Sequence, residues 1–249
     1  MSSFAANNIT TWFGGYDMTG DLNSTTLAME YDALGADAFK PGTVTKPGRV
    51  RVAGLESVQL DQAGLWQAAD DAVDPVAFAA LGGSSQPVSN SPDGLESSVA
   101  YLYRVRAFNY ELFGQVGEVA PFRLTAQSAR GTGLASVGGI RGRVLKTKGN
   151  VSGTGGLGSV VQVGAVGAGQ YLYAAVHVFS AGTTISMDLA SDDNLGFTSG
   201  TTRGSVGPIT TTGGTWMTRV AGPITDDYWL FNVTACTGTF SLACTVGIR

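Results

Sequence analysis

Few side chains in this sequence could act as a nucleophile, a general base or a soft metal ligand. The 249 residues include one histidine, His177, and two cysteines, Cys236 and Cys244. One histidine without a nucleophile motif supports neither a catalytic triad nor a histidine-rich metal site. His177 shares a strand-like face with Tyr173 and Phe179, so we interpret it as a packed structural side chain. No oxidising compartment is indicated, so we predict free thiols rather than a disulfide.

Two acidic stretches could form a carboxylate cluster. The run at 70–74 holds Asp70, Asp71 and Asp74 directly before Pro75. A catalytic cluster is one interpretation, but carboxylates at a helix start complement the helix dipole, and we favour that reading. Residues 192–194 read Asp-Asp-Asn and could bind calcium, yet they lack the spacing of an EF-hand loop. We predict a turn there.

A literal G-x-G-x-x-G occurs at Gly153, Gly155 and Gly158. A dinucleotide site needs a strand before this motif, a helix after it and an acidic residue further on. The following residues form a poor helix, so we set nucleotide binding aside. The sequence also lacks a phosphate-binding Gly-Lys-Ser/Thr loop, a Cys-x-x-Cys pair and a His-Glu-x-x-His motif. We therefore predict no catalytic residue, no metal site, no cofactor and no enzymatic activity.

The elements that would position any site are strands. The stretch 98–127 contains two extended runs around a short polar centre at 109–118. Apolar and polar residues alternate along both runs, and aromatic and β-branched residues are frequent, which is typical of paired strands. Two strands need further strands to bury their apolar face, so we expect a sheet built around this pair.

The rest of the first part adds strands, one loop and one helix. We predict strands at 8–16, 21–32 and 49–64, and a helix at 75–81 that Asp74 caps. The segment 33–48 has two prolines, three glycines and no periodicity, which predicts a long loop. Its lysines and Phe39 suit an arm that grips a partner, and a disordered surface insertion is the alternative.

The second part has cleaner alternation and fewer charges. Residues 148–159 are rich in glycine and serine, which predicts a linker. From about residue 160, apolar residues alternate in roughly seven or eight short segments with turns between them, as in a β-sandwich of Ig-like or jelly-roll kind. We therefore predict an all-β chain with a β-barrel or sandwich domain at 1–147, a Gly-rich linker at 148–159 and an outer β-sandwich at 160–249.

Composition narrows the class of protein. Apolar residues make up 43% of the chain, enough for a core, and 36 glycines suit many short strands joined by tight turns. The formal net charge of −4 argues against a general nucleic-acid binder, which needs a basic face. The start of the chain shows no signal peptide, and no run is long enough to span a membrane.

Charges are concentrated in the first part: 12 of the 15 Lys and Arg residues and 14 of the 19 Asp and Glu residues lie before residue 151. Basic residues gather near 130–148, and acidic ones at 70–74. A solvated rim would explain both, but oppositely charged patches on one domain can direct head-to-tail assembly, and we favour that explanation. The candidate subunit-interface residues are Phe39, Lys40, Lys46, Arg49, Asp70, Asp71, Asp74, Arg130, Arg141 and Arg143.

Four successive segments resemble the tail tube proteins of long-tailed bacteriophages. These are GDLNSTTLAMEYDAL, GRVRVAGLESVQLDQAGLWQA, DPVAFAALGG and SVAYLYRVRAFNYELFGQVGEVAPFRLTAQ, within residues 8–147. The second part is similar to sandwich domains on phage tail and head proteins, through VHVFSAG, LASDDNLGFTS, WMTRVAGPITDDYWLFNVTA and FSLACTVGI. The outer domain is about as long as some whole tube subunits, and in this the chain departs from the family.

The resemblance implies a virion structural protein. It implies hexameric rings whose inner sheets join into one barrel, stacked into a tube through which DNA passes. The implied partners are further copies of the chain and other tail proteins such as tape measure, terminator and baseplate proteins, without membrane insertion. The implied location is the phage tail, assembled in the host bacterial cytoplasm. The loop at 33–48 then resembles the arm that reaches neighbouring subunits.

Basic walls would hold DNA and slow its transit, so we expect Arg104 and Arg106 to lie outside the bore or at subunit contacts. Two other functions stay open. A capsid decoration protein would share the β composition but form trimers or monomers on a shell. A carbohydrate-binding adhesin would present exposed aromatic residues on one platform, for which Trp216 and Tyr228 are the candidates.

Overall fold

A computed structural model describes residues 9–35, 51–70, 72–129 and 138–249. Within these ranges the chain forms sixteen strands, one α-helix and one 3-10 turn, which confirms the all-β prediction with one short helix. The strands are β1 (Thr10–Phe13), β2 (Tyr16–Asp17), β3 (Leu22–Gly35), β4 (Arg51–Leu65), β5 (Gln86–Ser91), β6 (Val99–Leu112), β7 (Pro121–Ser128), β8 (Ile140–Val151), β9 (Gly155–Gln162), β10 (Tyr171–Ser180), β11 (Thr184–Asp192), β12 (Thr201–Ile209), β13 (Gly213–Trp216), β14 (Val220–Ala221), β15 (Tyr228–Thr237) and β16 (Phe240–Ile248). The helix is α1 (Val73–Ala80), and the 3-10 turn is Met18–Gly20.

The predicted strand pair is present as β6 and β7, and β6 is the branch point of a twelve-stranded sheet. Val105 pairs with Gln86 of β5 on one edge of β6 and with Ser128 of β7 on the other. Nearer its start, β6 pairs with β8 on the edge that β7 later occupies, since Tyr101 pairs with both Asn90 and Arg141. The polar centre predicted at 109–118 is shorter than expected, because β6 continues to Leu112.

The strands β3, β4, β7 and β6 form the four-stranded unit, in that order, with every neighbouring pair antiparallel. On its inner face β4, β7 and β6 bury the side chains that alternate with polar ones, and α1 covers them. This core includes Leu60, Phe122, Leu124, Ala126, Val105, Ala107, Val73 and Ala77. The alternation seen in the sequence thus sets which face of the unit is buried.

The helix begins two residues earlier than predicted. Its N-cap position is Ala72, which makes no side-chain cap hydrogen bond, so the prediction that Asp74 caps the helix is wrong. Asp74 lies in the first turn and accepts a 2.9 Å hydrogen bond from the Tyr110 hydroxyl. Burial, together with that hydrogen bond and the nearby carboxylate charge, raises the pKa of Tyr110. Asp74 therefore ties the helix start to β6.

The second part forms a β-sandwich, but its layers begin before residue 160, because they include β8 and β9. The strands β13, β10, β16 and β8 form one layer, and β12, β11, β15 and β9 form the other. The apolar faces read from the sequence meet in one core. It contains Leu172, Ala174, Val176, Val178, Ile185, Met187, Leu189, Trp229, Phe231, Val233, Phe240, Leu242, Cys244 and Val246.

The Gly-rich segment at 148–159 is not a linker. β8 runs to Val151 and β9 begins at Gly155, so residues 152–154 alone turn between them. One of its glycines lies where strands approach closely, because a Cβ at Gly158 would overlap the carbonyl oxygen of Leu145. The glycine-rich composition led to the wrong prediction of a linker, because glycine occurs in closely packed strands as well as in flexible segments. β8 pairs with β6 and with β16, so one hydrogen-bonded sheet joins the two parts.

A third core lies where the parts meet. Trp12, Leu102, Val144, Tyr173 and Ala243 are buried together there, although they come from β1, β6, β8, β10 and β16. The sheet curls, so that the outer face of β10 and β16 packs against β1, β5 and β6. The carbonyl oxygen of Gly14 reaches His177 on β10 as a result.

Candidate assembly surfaces

The outer face of the four-stranded unit is polar and exposed. One row crosses all four strands: Thr26 pairs with Asp61, Asp61 with Thr125, and Thr125 with Asn109. The Thr125 hydroxyl donates to Asp61 over 2.8 Å, and the Gln59 amide donates to the same carboxylate over 2.7 Å. A depression of about 520 Å³ follows this face. The row is hydrophilic, and Asp61, Thr125 and Asn109 already hydrogen-bond to side chains on the same face.

Charges on the polar face are of both signs. Arg106 is exposed between the buried side chains of Val105 and Ala107, which places it on this face. Arg123 also lies here, opposite Glu111 in the neighbouring strand. Arg104 is half-buried and donates to the carbonyl oxygen of Ser85. The face therefore lacks the continuous basic surface that nucleic-acid binding requires.

Both lateral edges of the unit are open within the described ranges. Among the described strands β3 pairs with β4 alone, so no described strand pairs with its other edge along these 14 residues. On the far side, residues 108–112 of β6 pair with β7 only, because pairing with β5 ends at Val105 and the bridge from Leu81 meets Ala107. Open edges of this length normally pair with another chain or are protected by proline, lysine or a covering segment.

We call the end of the unit where Leu22, Leu65, Leu112 and Pro121 lie the lower end. It is apolar and acidic. Its exposed apolar side chains lie on the β6–β7 turn and at the end of β4: Leu65, Phe113, Val116 and Val119. Val116 is fully exposed, and Phe113 packs edge-on against Trp66 with ring centroids 5.6 Å apart. The acidic residues here are Asp21, Asp70, Asp74, Glu111 and Glu118, and Arg123 is the nearby cation.

The upper end is the opposite end, where Gly35 pairs with Arg51. Tyr31, Leu34 and Leu55 are exposed there, with Leu55 exposing 79% of its surface. Arg51 and Arg141 are exposed, and Arg143 donates to the carbonyl oxygen of Ser97. The upper end therefore combines apolar side chains with arginines.

Arg249, the last residue of the sequence, holds this hairpin against the sandwich. Its guanidinium donates to Glu56, to the Tyr31 hydroxyl over 2.7 Å and to the Gly139 carbonyl over 3.0 Å. The hydrogen bond to Glu56 raises the pKa of Arg249, against a smaller opposing effect of burial. The upper half of β3 and β4, which extends beyond β7, is thereby fixed in position.

The predicted interface residues divide between these two ends. Asp70 and Asp74 lie at the lower end, and Arg141 and Arg143 at the upper end, so one copy does not bring the opposite charges together. The remaining six lie outside the described residues: Phe39, Lys40, Lys46, Arg49, Asp71 and Arg130. Sequence reasoning missed the apolar residues of the β6–β7 turn, although the run LFGQVGEV places apolar side chains in a segment expected to be polar.

The buried histidine sits in a polar chain at the junction. His177 Nδ1 donates to the Gly14 carbonyl over 2.7 Å, which leaves Nε2 to accept from the Ser89 hydroxyl over 2.8 Å. Ser89 Oγ in turn accepts from Thr245. His177 is fully buried, and its ring is oriented by a carbonyl rather than a carboxylate. The structural interpretation of this histidine is confirmed, and the Ser–His pair has no solvent access.

The other chemical candidates have structural roles. Cys236 and Cys244 are free thiols, as predicted, and burial raises the pKa of Cys244. Asp192 closes the predicted turn by accepting from the backbone amides of Asn194 and Ser199. Within the described ranges, no cluster of His, Cys, Asp or Glu could hold a metal ion, and no helix is long and apolar enough to cross a membrane.

Two further sequence interpretations concern ligands. Gly153 and Gly155 flank the β8–β9 turn and a strand follows them, so the helix that a dinucleotide fingerprint needs is not there. Trp216 lies in β13, in the first layer of the sandwich, and packs against Tyr173. Tyr228 lies in β15, in the other layer. These two aromatic residues therefore do not form one carbohydrate platform.

No family model matches the chain, and no curated protein matches it. Among solved structures, a virion of a native gene transfer agent particle has a chain that is 15% identical, with a TM-score of 0.43, covering 52% of this chain and 96% of that one. The SPP1 tail tube is 12% identical, with a TM-score of 0.42, covering 56% and 78%.

The SPP1 Dit protein, described as a paradigm of the hub adsorption apparatus in phages that infect Gram-positive bacteria, is 12% identical with a TM-score of 0.37. That match covers 97% of this chain and 99% of the other. At these identities and TM-scores the likeness is a loose one of fold.

Proposed function

We propose that this chain is a virion structural protein of a phage tail, whose copies join into hexameric rings that stack into the tail tube and conduct DNA. The observation that carries the proposal is the pair of open edges on the four-stranded unit. Four antiparallel strands leave β3 and β6 running in opposite directions. The β3 edge of one copy can therefore pair antiparallel with residues 108–112 of the next, and the same contact repeats until a ring closes.

The two faces of the unit decide its orientation in such a ring. The inner face is covered by α1 and belongs to the core, so the polar face lines the bore. Its threonine and amide side chains already bond to neighbouring carboxylates, as Thr125 and Gln59 do with Asp61. A surface of mixed charge attracts phosphate weakly, which suits DNA in transit.

This orientation revises one sequence expectation. Arg106 lies on the polar face and would face the bore, where we had expected neither Arg104 nor Arg106. Asp61, Glu111 and Glu30 share that face and offset the charge of Arg106 and Arg123. We therefore propose a bore that is close to neutral rather than free of arginine.

The sandwich occupies the outside of the proposed tube. It joins the unit through β8, and its residues Tyr173 and Ala243 pack on Leu102 near the start of β6. The division into a tube domain and an outer decoration domain stays a proposal, as do assembly in the bacterial cytoplasm and contacts with tape measure, terminator and baseplate proteins. The proposed role is non-enzymatic and needs no cofactor.

Disulfide cross-linking tests the proposed ring. Thr26→Cys on β3 and Asn109→Cys on β6 lie on the same row, but about three strand spacings, roughly 14 Å, separate them within one copy. That span is too long for an intramolecular disulfide. We expect oxidation of the double variant to give a ladder of covalent oligomers ending at a closed ring.

The matched control combines Thr26→Cys with Ala235→Cys, an exposed position on the sandwich. This pair should give no ladder. A double variant that stays monomeric at every protein concentration would contradict the proposal. Negative-stain images separate the alternatives, because tubes and sixfold rings support the tail tube whereas trimers support a capsid decoration protein.

A further inference from the structure

We propose that the first residues of the chain fill an apolar groove on the chain's own surface, with the ring of Phe4 against Leu27 and Met29 on the inner face of β3. The inference concerns a single copy and does not depend on the proposed ring. It assigns a binding site that the proposed function does not use, and its occupant is the segment 1–8.

The groove lies between β3 and the ends of β1 and β5, and its volume is about 540 Å³. The described residues that line it are mostly apolar, and none of them is charged. They are Ile9, Thr25, Leu27, Met29, Asn90, Ser91, Pro92 and Tyr101. A cavity of this size with an apolar wall and a few polar groups is typical of a binding site.

The core of the four-stranded unit ends before it reaches β3. On β4, the side chains of Leu60 and Val58 are fully buried. Their partners on β3 are Leu27, which is half-buried, and Met29, which exposes 40% of its surface. One row of apolar side chains is therefore covered on β4 and uncovered on β3, so another apolar group would complete the core there.

Two buried polar side chains beside the groove have no hydrogen-bond partner among the described residues. Gln62 exposes 2% of its surface, and neither its amide nitrogen nor its amide oxygen is paired. Thr25 lines the groove, lies opposite Gln62 in the strand pair, and has a buried, unpaired hydroxyl. Buried polar groups usually have partners, so the groove needs an occupant with hydrogen-bonding groups as well as an apolar side chain. A peptide segment supplies both.

The described chain begins at this groove. Ile9, its first residue, is half-buried and lines the groove. The next residue, Thr10, pairs with Ser91, which also lines the groove. The segment 1–8 is thus attached to the wall of the site that we propose it fills, and the effective concentration of the segment there is high.

The composition and length of the segment suit the groove. It reads MSSFAANN and has no charged side chain, as the groove lining has none. Phe4 precedes Ile9 by five residues, so an extended chain reaches about 16 Å, as far as the roughly 14 Å that four residues of β3 span. The Phe4 ring can therefore reach Met29, and contacts between a thioether and an aromatic ring are favourable.

Disulfide trapping tests the occupant. A Cys236→Ser background removes the half-exposed native thiol. In it we expect Phe4→Cys with Met29→Cys to oxidise within one chain at least about fivefold faster than Phe4→Cys with Glu30→Cys, because a disulfide needs close Cβ atoms. Glu30 is the matched control, since it is exposed and points to the opposite face of β3. Denaturing gels without reductant separate disulfides within one chain from those between chains.

Thermal unfolding gives a second readout. We expect Phe4→Ser to lower the melting temperature by about 3–6 °C, because the groove loses its apolar occupant. Phe4→Leu, which keeps an apolar side chain, should restore most of the loss. Ala5→Ser adds the same hydroxyl group at the neighbouring position and is the control.

Equal oxidation rates for the two cysteine pairs would overturn the assignment, and so would a Phe4→Ser protein as stable as the wild type. A disulfide that joins two chains would place the segment in the groove of a second copy and would also contradict the proposal. None of these results depends on whether rings form, so the proposed function is tested separately.

Discussion

His177 and Ser89 are 88 residues apart in the sequence, and their side chains meet 2.8 Å apart in the buried junction between the two parts of the chain. The contact fixes the tautomer, because Nδ1 must donate to Gly14 and Nε2 must accept from Ser89. Thr245 extends the chain of hydrogen bonds to β16. This polar chain connects β1, β5, β10 and β16 inside an otherwise apolar core.

The first prediction concerns pH. Burial lowers the pKa of His177 to about 4, against opposing effects of the Gly14 hydrogen bond and the Asp17 carboxylate. The folded protein therefore binds the proton less readily than the unfolded chain. The contribution of neutral His177 to stability is complete above about pH 6.5 and is lost as the pH falls towards 4, amounting to about 3 kcal/mol.

Urea unfolding between pH 7 and pH 4 measures this dependence. His177→Gln should be less stable at pH 7 and should lack the histidine component of the slope, while the carboxylates contribute equally in both proteins. Parallel pH profiles for the wild type and the variant would show that His177 titrates normally in the folded protein.

The second prediction concerns Ser89. Ser89→Ala leaves His177 Nε2 and Thr245 without their common partner in a buried site, so we expect a loss of about 1–3 kcal/mol in the free energy of unfolding. Ser84→Ala, in the half-exposed loop before β5, is the control and should cost less than about 0.5 kcal/mol. Equal losses in the two variants would mean that the buried chain adds no stability.

The third prediction concerns Gly142, where β8 and β16 cross closely. A Cβ at this position would overlap the carbonyl oxygen of Val246, so Gly142→Ala should separate the strands that join the two parts and cost about 1–3 kcal/mol. Gly153→Ala is the control, since open space surrounds that position. Thermal unfolding of the two variants gives the comparison, and matching melting temperatures would contradict the close approach.

The fourth prediction concerns Arg249. Arg249→Ala removes the guanidinium that holds Tyr31, Glu56 and Gly139 together. We expect faster amide hydrogen exchange in the upper halves of β3 and β4, with little change in the lower half of β4, which pairs with β7, or in the part of β3 beside it. Arg219→Ala, which removes a cation stacked on Tyr171 in the sandwich, is the control. Unchanged exchange at residues 29–34 would show that the hairpin is held by other contacts.

The sequence predicted the elements whose faces differ in polarity. The sandwich core at Trp229–Val233 followed from period-2 alternation, because one side of β15 meets the core and the other is exposed or half-buried. The β6–β7 pair followed for the same reason. The local sequence pattern is sufficient to predict a strand and its buried face where only one face of the strand is buried.

Long-range relationships were beyond the sequence pattern. Nothing near His177 indicates that Ser89 and Gly14 surround it, since those partners arrive through the curl of the sheet. The glycines at 149–158 resemble a linker because glycine in a tightly packed strand and glycine in a flexible one have the same composition. The apolar residues of the β6–β7 turn were missed because their glycines and polar neighbours predicted a polar centre at 109–118.

The continuity of the sheet through β8 has a mechanical consequence. Because β8 pairs with both β6 and β16, a force applied to the sandwich passes into the four-stranded unit through rows of backbone hydrogen bonds rather than across a hinge. Each copy then resists shear through one continuous hydrogen-bonded sheet. In a particle built from such copies, a force on the sandwich is therefore transmitted to the wall. Rotation or unfolding of one part strains the hydrogen bonds that join it to the other.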